Sequence, residues 1–233
     1  MIPKRNAAEA GRELFRRRAL RSAAMSPKHH GFIPSSAEEM LRARVKSELR
    51  KRMRALRRAL PAAACAVRSA KIADRVAELE AVSRARSVCL FWPIEERHEV
   101  DLRPLDASLR ARGARVAYPG IDPETGAMTF RYVADPQAME EQGFGFREPS
   151  PGEPEAQPGE IDVVVVPALA LDPRGHRIGY GAGYYDRVLP RYAPPAFAVA
   201  VAFDFQLVAE VPDSAVDARV AWIVTDARSL AAE

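Results

Sequence analysis

The sequence predicts an α/β layered fold built around parallel strands. Short β-branched runs alternate with stretches of helical period, the order expected of layered α/β domains. The run Ile161–Pro167 is β-branched and bounded by turn signals, as suits a parallel strand covered on both faces. Three glycines at spacing two, Gly179, Gly181 and Gly183, stand between that strand and the next helical stretch.

Composition sets the outer bounds. The 233 residues suffice for one large domain or two small ones. Apolar residues at 48 % and charged residues at 28 % exclude a wholly disordered chain. No window approaches the roughly 18–20 uncharged apolar residues of a membrane helix, so no membrane partner is expected. Cys65 and Cys89 lie far apart and offer neither paired metal-ligand spacing nor a disulfide framework. A reducing, cytoplasmic setting is therefore expected. The net charge of +4 hides an asymmetry, because residues 1–58 hold 17 Lys and Arg against 5 Asp and Glu. A basic front end on an acidic body points to an anionic partner such as nucleic acid or a phosphorylated small molecule. A solvated basic helix accounts for the same charges more plainly.

The elements follow in order. Residues 1–38 carry no strong apolar period and read as a mobile basic extension, with residues 39–233 as the folded domain. Met25 and Met40 are alternative starts. Ser36 with Glu39 three residues on has the pattern of a capping box for a helix over about 37–59. Leu41, Val45, Leu49, Met53, Leu56 and Leu60 recur at helical steps and predict one buried stripe. Pro61 ends that helix, and a second is expected over about 62–80. Strands are expected at 87–91, 114–118, 129–133, 161–167, 196–203 and 220–225, with helices at 102–112 and 184–192. The proline-rich stretch 147–160 reads as a loop.

The glycine-rich segment carries the clearest chemical signal. Glycines at spacing two let backbone N–H groups converge without Cβ obstruction, and the following helix N-terminus adds partial positive charge. Together they suit an anion such as phosphate, with Arg177 at the mouth of the cradle. The spacing matches neither the P-loop nor the dinucleotide fingerprint. Taken alone, the glycines fit a flexible turn equally well. Asp186 falls in the first turn of the following helix, where a carboxylate suits Mg²⁺ beside a nucleotide or simply the helix dipole. Lys46 and Arg50, four apart, share one helix face. Glu99 follows a predicted strand, where loops line ligand crevices. Tyr184 and Tyr185 offer either stacking surfaces or core packing.

These segments resemble one family. Lys46-x-x-x-Arg50, Glu99-Val-Asp and Asp172-x-x-Gly175-x-Arg177-Ile-Gly-Tyr-Gly-Ala-Gly-Tyr-Tyr-Asp186 are similar to 5-formyltetrahydrofolate cyclo-ligase, also called methenyltetrahydrofolate synthetase. Ala202-Phe203, Gln206, Pro212-x-x-x-x-Asp217 and Ile223-Val-Thr225 continue the likeness, which runs from about 41 to 226. The resemblance implies a three-layer α/β/α Rossmann-like sandwich with a mostly parallel sheet. It implies conversion of 5-formyltetrahydrofolate and ATP to 5,10-methenyltetrahydrofolate, ADP and phosphate, with Mg²⁺. Carried over residue by residue, Lys46 and Arg50 match an ATP-binding pair. Arg177, Ile178, Gly179, Tyr180, Gly181, Ala182, Gly183, Tyr184 and Tyr185 match the ATP loop. Arg177 and Tyr184 match its catalytic positions, and Tyr184 also lies against the folate. Asp186 and Asp217 match the metal ligands, and Glu99 a folate-contacting glutamate.

Two departures stand out. Ala182 occupies a position where many relatives have Lys or Gly. The stretch Trp92–Glu99 is about two residues longer than usual, which makes Glu96 the competitor of Glu99 for the folate position. The resemblance implies a monomer acting on two small molecules, with no obligate nucleic acid. Two alternatives are a paralogue that binds nucleotide or folate without turnover, and nucleic-acid binding through the basic front end.

Overall fold

The computed structural model describes residues 36–122, 124–141 and 146–233. The extension expected over 1–38 lies almost wholly outside the described residues. The first helix, α1 (Ala37–Ala59), begins at the expected capping box: Ser36 accepts from the Glu39 N–H, and Glu39 reaches back to the Ser36 N–H. Its apolar stripe does not bury as expected. Leu41, Val45 and Leu56 are exposed, while Leu49, Met53 and Leu60 of the same stripe face the domain. The protein-facing positions are Lys46, Leu49, Arg50, Met53, Arg54, Arg57 and Leu60. These also recur at steps of three and four, but the stripe is rotated toward the basic residues. The helix therefore lays cations, not only leucines, against the domain.

The second helix is shorter than expected. α2 (Ala62–Glu78) ends at Leu79, and a single turn, α3 (Glu80–Ser83), follows. Then come β1 (Ser87–Cys89), α4 (Arg103–Ala111), β2 (Arg115–Ile121) and β3 (Met128–Tyr132). A two-stranded ribbon of β4 (Glu140–Glu141) and β5 (Arg147–Glu148) precedes β6 (Val163–Pro167). A tight hairpin, β7 (Ala170–Leu171) with β8 (Arg177–Ile178), leads to α5 (Tyr184–Tyr192). β9 (Phe197–Val201), β10 (Trp222–Val224) and β11 (Ser229–Ala231) complete the chain.

The main sheet has seven strands in the order β11-β10-β9-β6-β1-β2-β3. The five inner strands run parallel, and the edge strands β3 and β11 pair antiparallel. The predicted mostly parallel sheet is what the chain forms. Strand alternation sorts its side chains into two cores. Val88, Val163 and Val165 face Ile72, Val76, Leu105 and Leu109 from α2 and α4. Cys89, Val164 and Val166 face Val188, Leu189 and Tyr192 of α5. All four valines of β6 are completely buried, as a central parallel strand requires. Helices on both faces make the three layers.

This topology also sets where a ligand crevice is expected. From β1 the chain crosses through α4 to β2 on one side, and from β6 it crosses through α5 to β9 on the other. β1 and β6 are neighbours, so their carboxyl ends border the switch point, the usual ligand crevice of such sheets. Among the described residues, no helix is long and apolar enough to cross a membrane.

Candidate active site

Two loops reach the switch point. After β6, the hairpin turn closes on Asp172, whose carboxylate is completely buried. It accepts from the backbone N–H groups of Arg174, His176 and Val211 at 3.0–3.1 Å. One side chain thus ties the hairpin to the segment that carries Asp217. The glycine-rich loop begins on β8 and ends at the α5 N-cap. Gly181 has φ +111° and Gly183 φ +68°, conformations that a side chain rarely adopts. No side chain caps α5, so its first-turn N–H groups remain available to an anion.

The predicted charged residues converge here as two mixed pairs. Lys46 Nζ lies 2.5 Å from Asp217 Oδ2, which also accepts from the Ser214 N–H at 2.8 Å. Arg177 Nη1 donates to Asp186 Oδ1 at 2.8 Å and to the Ala218 carbonyl at 2.9 Å. The Ala218 N–H donates to the same Asp186 oxygen at 3.2 Å. Between the pairs, Arg50 Nε donates to the Gly179 carbonyl at 3.0 Å. Burial and neighbouring Arg54 pull the Arg50 guanidinium below its usual value, while Asp217 and Asp186 act the other way. Three cations from two distant stretches and two carboxylates therefore share one field. Arg177 Nη2 is buried and has no hydrogen-bond partner among the described residues, an unmet donor that favours an arriving acceptor.

The donor set fits Mg²⁺. No group of three or more His, Cys, Asp or Glu among the described residues could form an all-protein metal cage. Two carboxylates beside a phosphate cradle suit an ion that keeps waters and completes its shell with phosphate oxygens.

The loop after β1 supplies the other wall. Glu99 is buried, whereas Glu96 is exposed on a single 3₁₀ turn. Glu99 Oε2 accepts from the Ile94 N–H at 3.0 Å, and Oε1 accepts from the Tyr180 hydroxyl at 2.6 Å. Tyr184 is half-buried, with the Arg187 guanidinium 5.2 Å from its ring centre. Arg187 also donates to the Ala182 carbonyl at 2.9 Å, bracing the loop at the position that departs from the pattern. Tyr185 packs against the α5 core, and Ile178 is buried beside Met53, with its carbonyl accepting from the Leu169 N–H at 2.7 Å.

The sequence matches the 5-formyltetrahydrofolate cyclo-ligase family over residues 42–226. This chain belongs to that family. The match to the cyclo-ligases spans every site residue named above, from Lys46 to Asp217. A 5-formyltetrahydrofolate cyclo-ligase from Mycolicibacterium smegmatis is 36 % identical over 154 residues, 63 % of this chain and 77 % of that relative. The Escherichia coli K12 cyclo-ligase is 28 % identical over 159 residues, 67 % of this chain and 86 % of that relative. The solved 5,10-methenyltetrahydrofolate synthetase of Aquifex aeolicus superposes with a TM-score of 0.70 at 32 % identity, covering 80 % of this chain and 92 % of that one. A synthetase from Mycoplasma pneumoniae, at 23 % identity and a TM-score of 0.63, shares the fold.

Two cyclo-ligase site features escape a reading of the sequence. Arg57 is almost fully buried and bonds the Tyr180 hydroxyl through Nη2 at 2.9 Å. Its signal was present: it lies seven residues after Arg50, on the same face. The β7–β8 hairpin was hidden because Asp172, Pro173 and Gly175 read as loop, although two residue pairs form a ladder around them.

Proposed function

We propose that this protein converts 5-formyltetrahydrofolate to 5,10-methenyltetrahydrofolate at the expense of ATP, with Mg²⁺, releasing ADP and phosphate. The observation that carries the reading is the pair of ion pairs, Lys46–Asp217 and Arg177–Asp186, at the mouth of an uncapped helix. Their charges match those of a metal–triphosphate complex. Asp186 and Asp217 would hold the metal, and Lys46 and Arg177 would face phosphate oxygens, so little uncompensated charge would be created. Mg²⁺, when bound, neutralises phosphate charge.

An amide oxygen is a poor leaving group, which is why phosphorylation must precede ring closure. The formyl oxygen attacks the γ-phosphorus and the bond to ADP breaks. N10 then attacks the activated carbon, phosphate departs with the former formyl oxygen, and N10 loses its proton. The protein's part is to hold the reactants in line and to stabilise phosphate charge. Lys46, Arg50 and Arg177 serve the phosphates, Asp186 and Asp217 the metal, and Glu99 the donor edge of the pterin. Tyr184 lies between the loop and the folate. We place the protein in the cytoplasm as a monomer, with residues 39–233 as its catalytic domain.

The test is near-ultraviolet absorbance with 5-formyltetrahydrofolate, Mg²⁺ and ATP, because the methenyl product is a conjugated chromophore that the substrate lacks. An ATP-dependent rise is expected, and a folded protein giving none would refute the reading. Lys46→Ala is expected to raise the KM for ATP roughly tenfold, the scale of one charged hydrogen bond. An unchanged KM would return Lys46 to a structural partner of Asp217.

A further inference from the structure

Tyr180 lies within the glycine-rich loop, between Gly179 and Gly181, yet its side chain leaves the phosphate cradle. The hydroxyl donates to Glu99 Oε1 at 2.6 Å and accepts from Arg57 Nη2 at 2.9 Å. Arg57 is anchored in turn by two donations to the Arg97 carbonyl, one of them from Nε at 2.9 Å. Its Nη2 stands 3.8 Å from the same Glu99 oxygen. The Arg97 guanidinium covers the Tyr180 ring at 4.8 Å from its centre. Arg57, Glu99 and the phenol thus form a closed chain running from α1 to the loop after β1.

We infer that Tyr180, held by Arg57, is a positioning residue for the folate site rather than a nucleotide contact. The inference rests on the folate role proposed for Glu99. Each carboxylate oxygen has two acceptor directions. The Tyr180 O–H takes one on Oε1 and the Ile94 N–H takes one on Oε2. These two bonds fix the plane of the carboxylate and leave one direction open on each oxygen. That geometry receives two parallel N–H donors, as presented by the 2-amino and N3–H groups of a 2-aminopyrimidinone ring. Burial and the adjacent Glu99 charge keep the Tyr180 phenol protonated, so it remains a donor.

Tyr180→Phe tests this, because it keeps the ring beneath Arg97 and removes only the hydroxyl. Binding of 5-formyltetrahydrofolate without nucleotide is measured by calorimetry, alongside KM and kcat for both substrates. The expected result is folate affinity weakened about tenfold with the KM for ATP unchanged. A folate analogue lacking the 2-amino group should show a much smaller difference between wild type and variant. Arg57→Lys, which keeps the charge but cannot span both acceptors, should lower folate affinity in the same selective way and guards against a misfolded first variant. A rise in the KM for ATP, an equal weakening of both ligands, or unchanged folate affinity in a folded variant would each overturn the inference. Failure of the underlying reading is distinct: Glu99→Gln would then leave folate affinity at the wild-type value, and a wild-type protein that neither bound nor turned over the folate would refute the proposed activity itself.

Discussion

Asp186→Asn is expected to lower turnover by roughly 10²–10³-fold while the fold persists, the scale on which one misplaced charge-stabilising group acts on a transition state. The substitution keeps the shape and the acceptor that Arg177 and the Ala218 N–H use. It removes the charge that balances a guanidinium whose side chain is only 4 % exposed. Two consequences follow from that charge. The carboxylate is lost to Mg²⁺, so the Mg²⁺ concentration giving half-maximal rate should rise. Arg177 is also left without its counter-ion until phosphate arrives, so ATP alone should bind no more weakly than it does to wild type. Initial rates across a Mg²⁺ series, with ATP binding measured without metal, check both. Wild-type turnover in the variant would sink the metal assignment.

Most of the architecture was legible because its signals are local. The buried run of β6, the capping box of α1 and the glycine spacing each reflect one physical requirement met within a few residues. The candidate site residues came through the family resemblance, since each compact motif taken alone fits a plainer reading equally well. What the sequence hid is what depends on partners. The buried face of α1 is only partly marked by hydrophobic period. Here the buried side also has to carry Lys46, Arg50 and Arg57 to the loop, which leaves Leu41, Val45 and Leu56 exposed. The direction of Tyr180 was hidden too. Its loop is defined by glycines that favour phosphate, and nothing nearby in sequence says that the one aromatic among them turns toward a carboxylate 81 residues away. Two-residue strands such as β7 and β8 lie below any periodic signal, because two residues cannot show alternation.

The second large effect concerns stability. Glu148 on β5 is 1 % exposed, and its Oε2 accepts from the Ile121 N–H at 2.6 Å, at the end of β2. Its Oε1 is buried and has no hydrogen-bond partner among the described residues. Burial pushes the carboxyl up from 4.5 to about 7, with the Ile121 N–H acting against the shift. The direction sets the sign. Between 4.5 and about 7 the folded chain holds a proton that the unfolded chain releases. The stability is therefore highest below that window, falls as pH rises through it, and levels off above it. The whole difference is on the order of 3 kcal/mol. Glu148→Gln does not titrate, and its amide oxygen can still accept from Ile121. At pH 5 the variant should melt close to wild type. At pH 8 it should melt several degrees higher, the size expected for such a gain in a domain of this length. Melting curves taken at half-unit steps from pH 4.5 to pH 8.5 should diverge through the window. Parallel curves would show that the carboxyl ionises as an ordinary glutamate does and that a partner for Oε1 forms in solution.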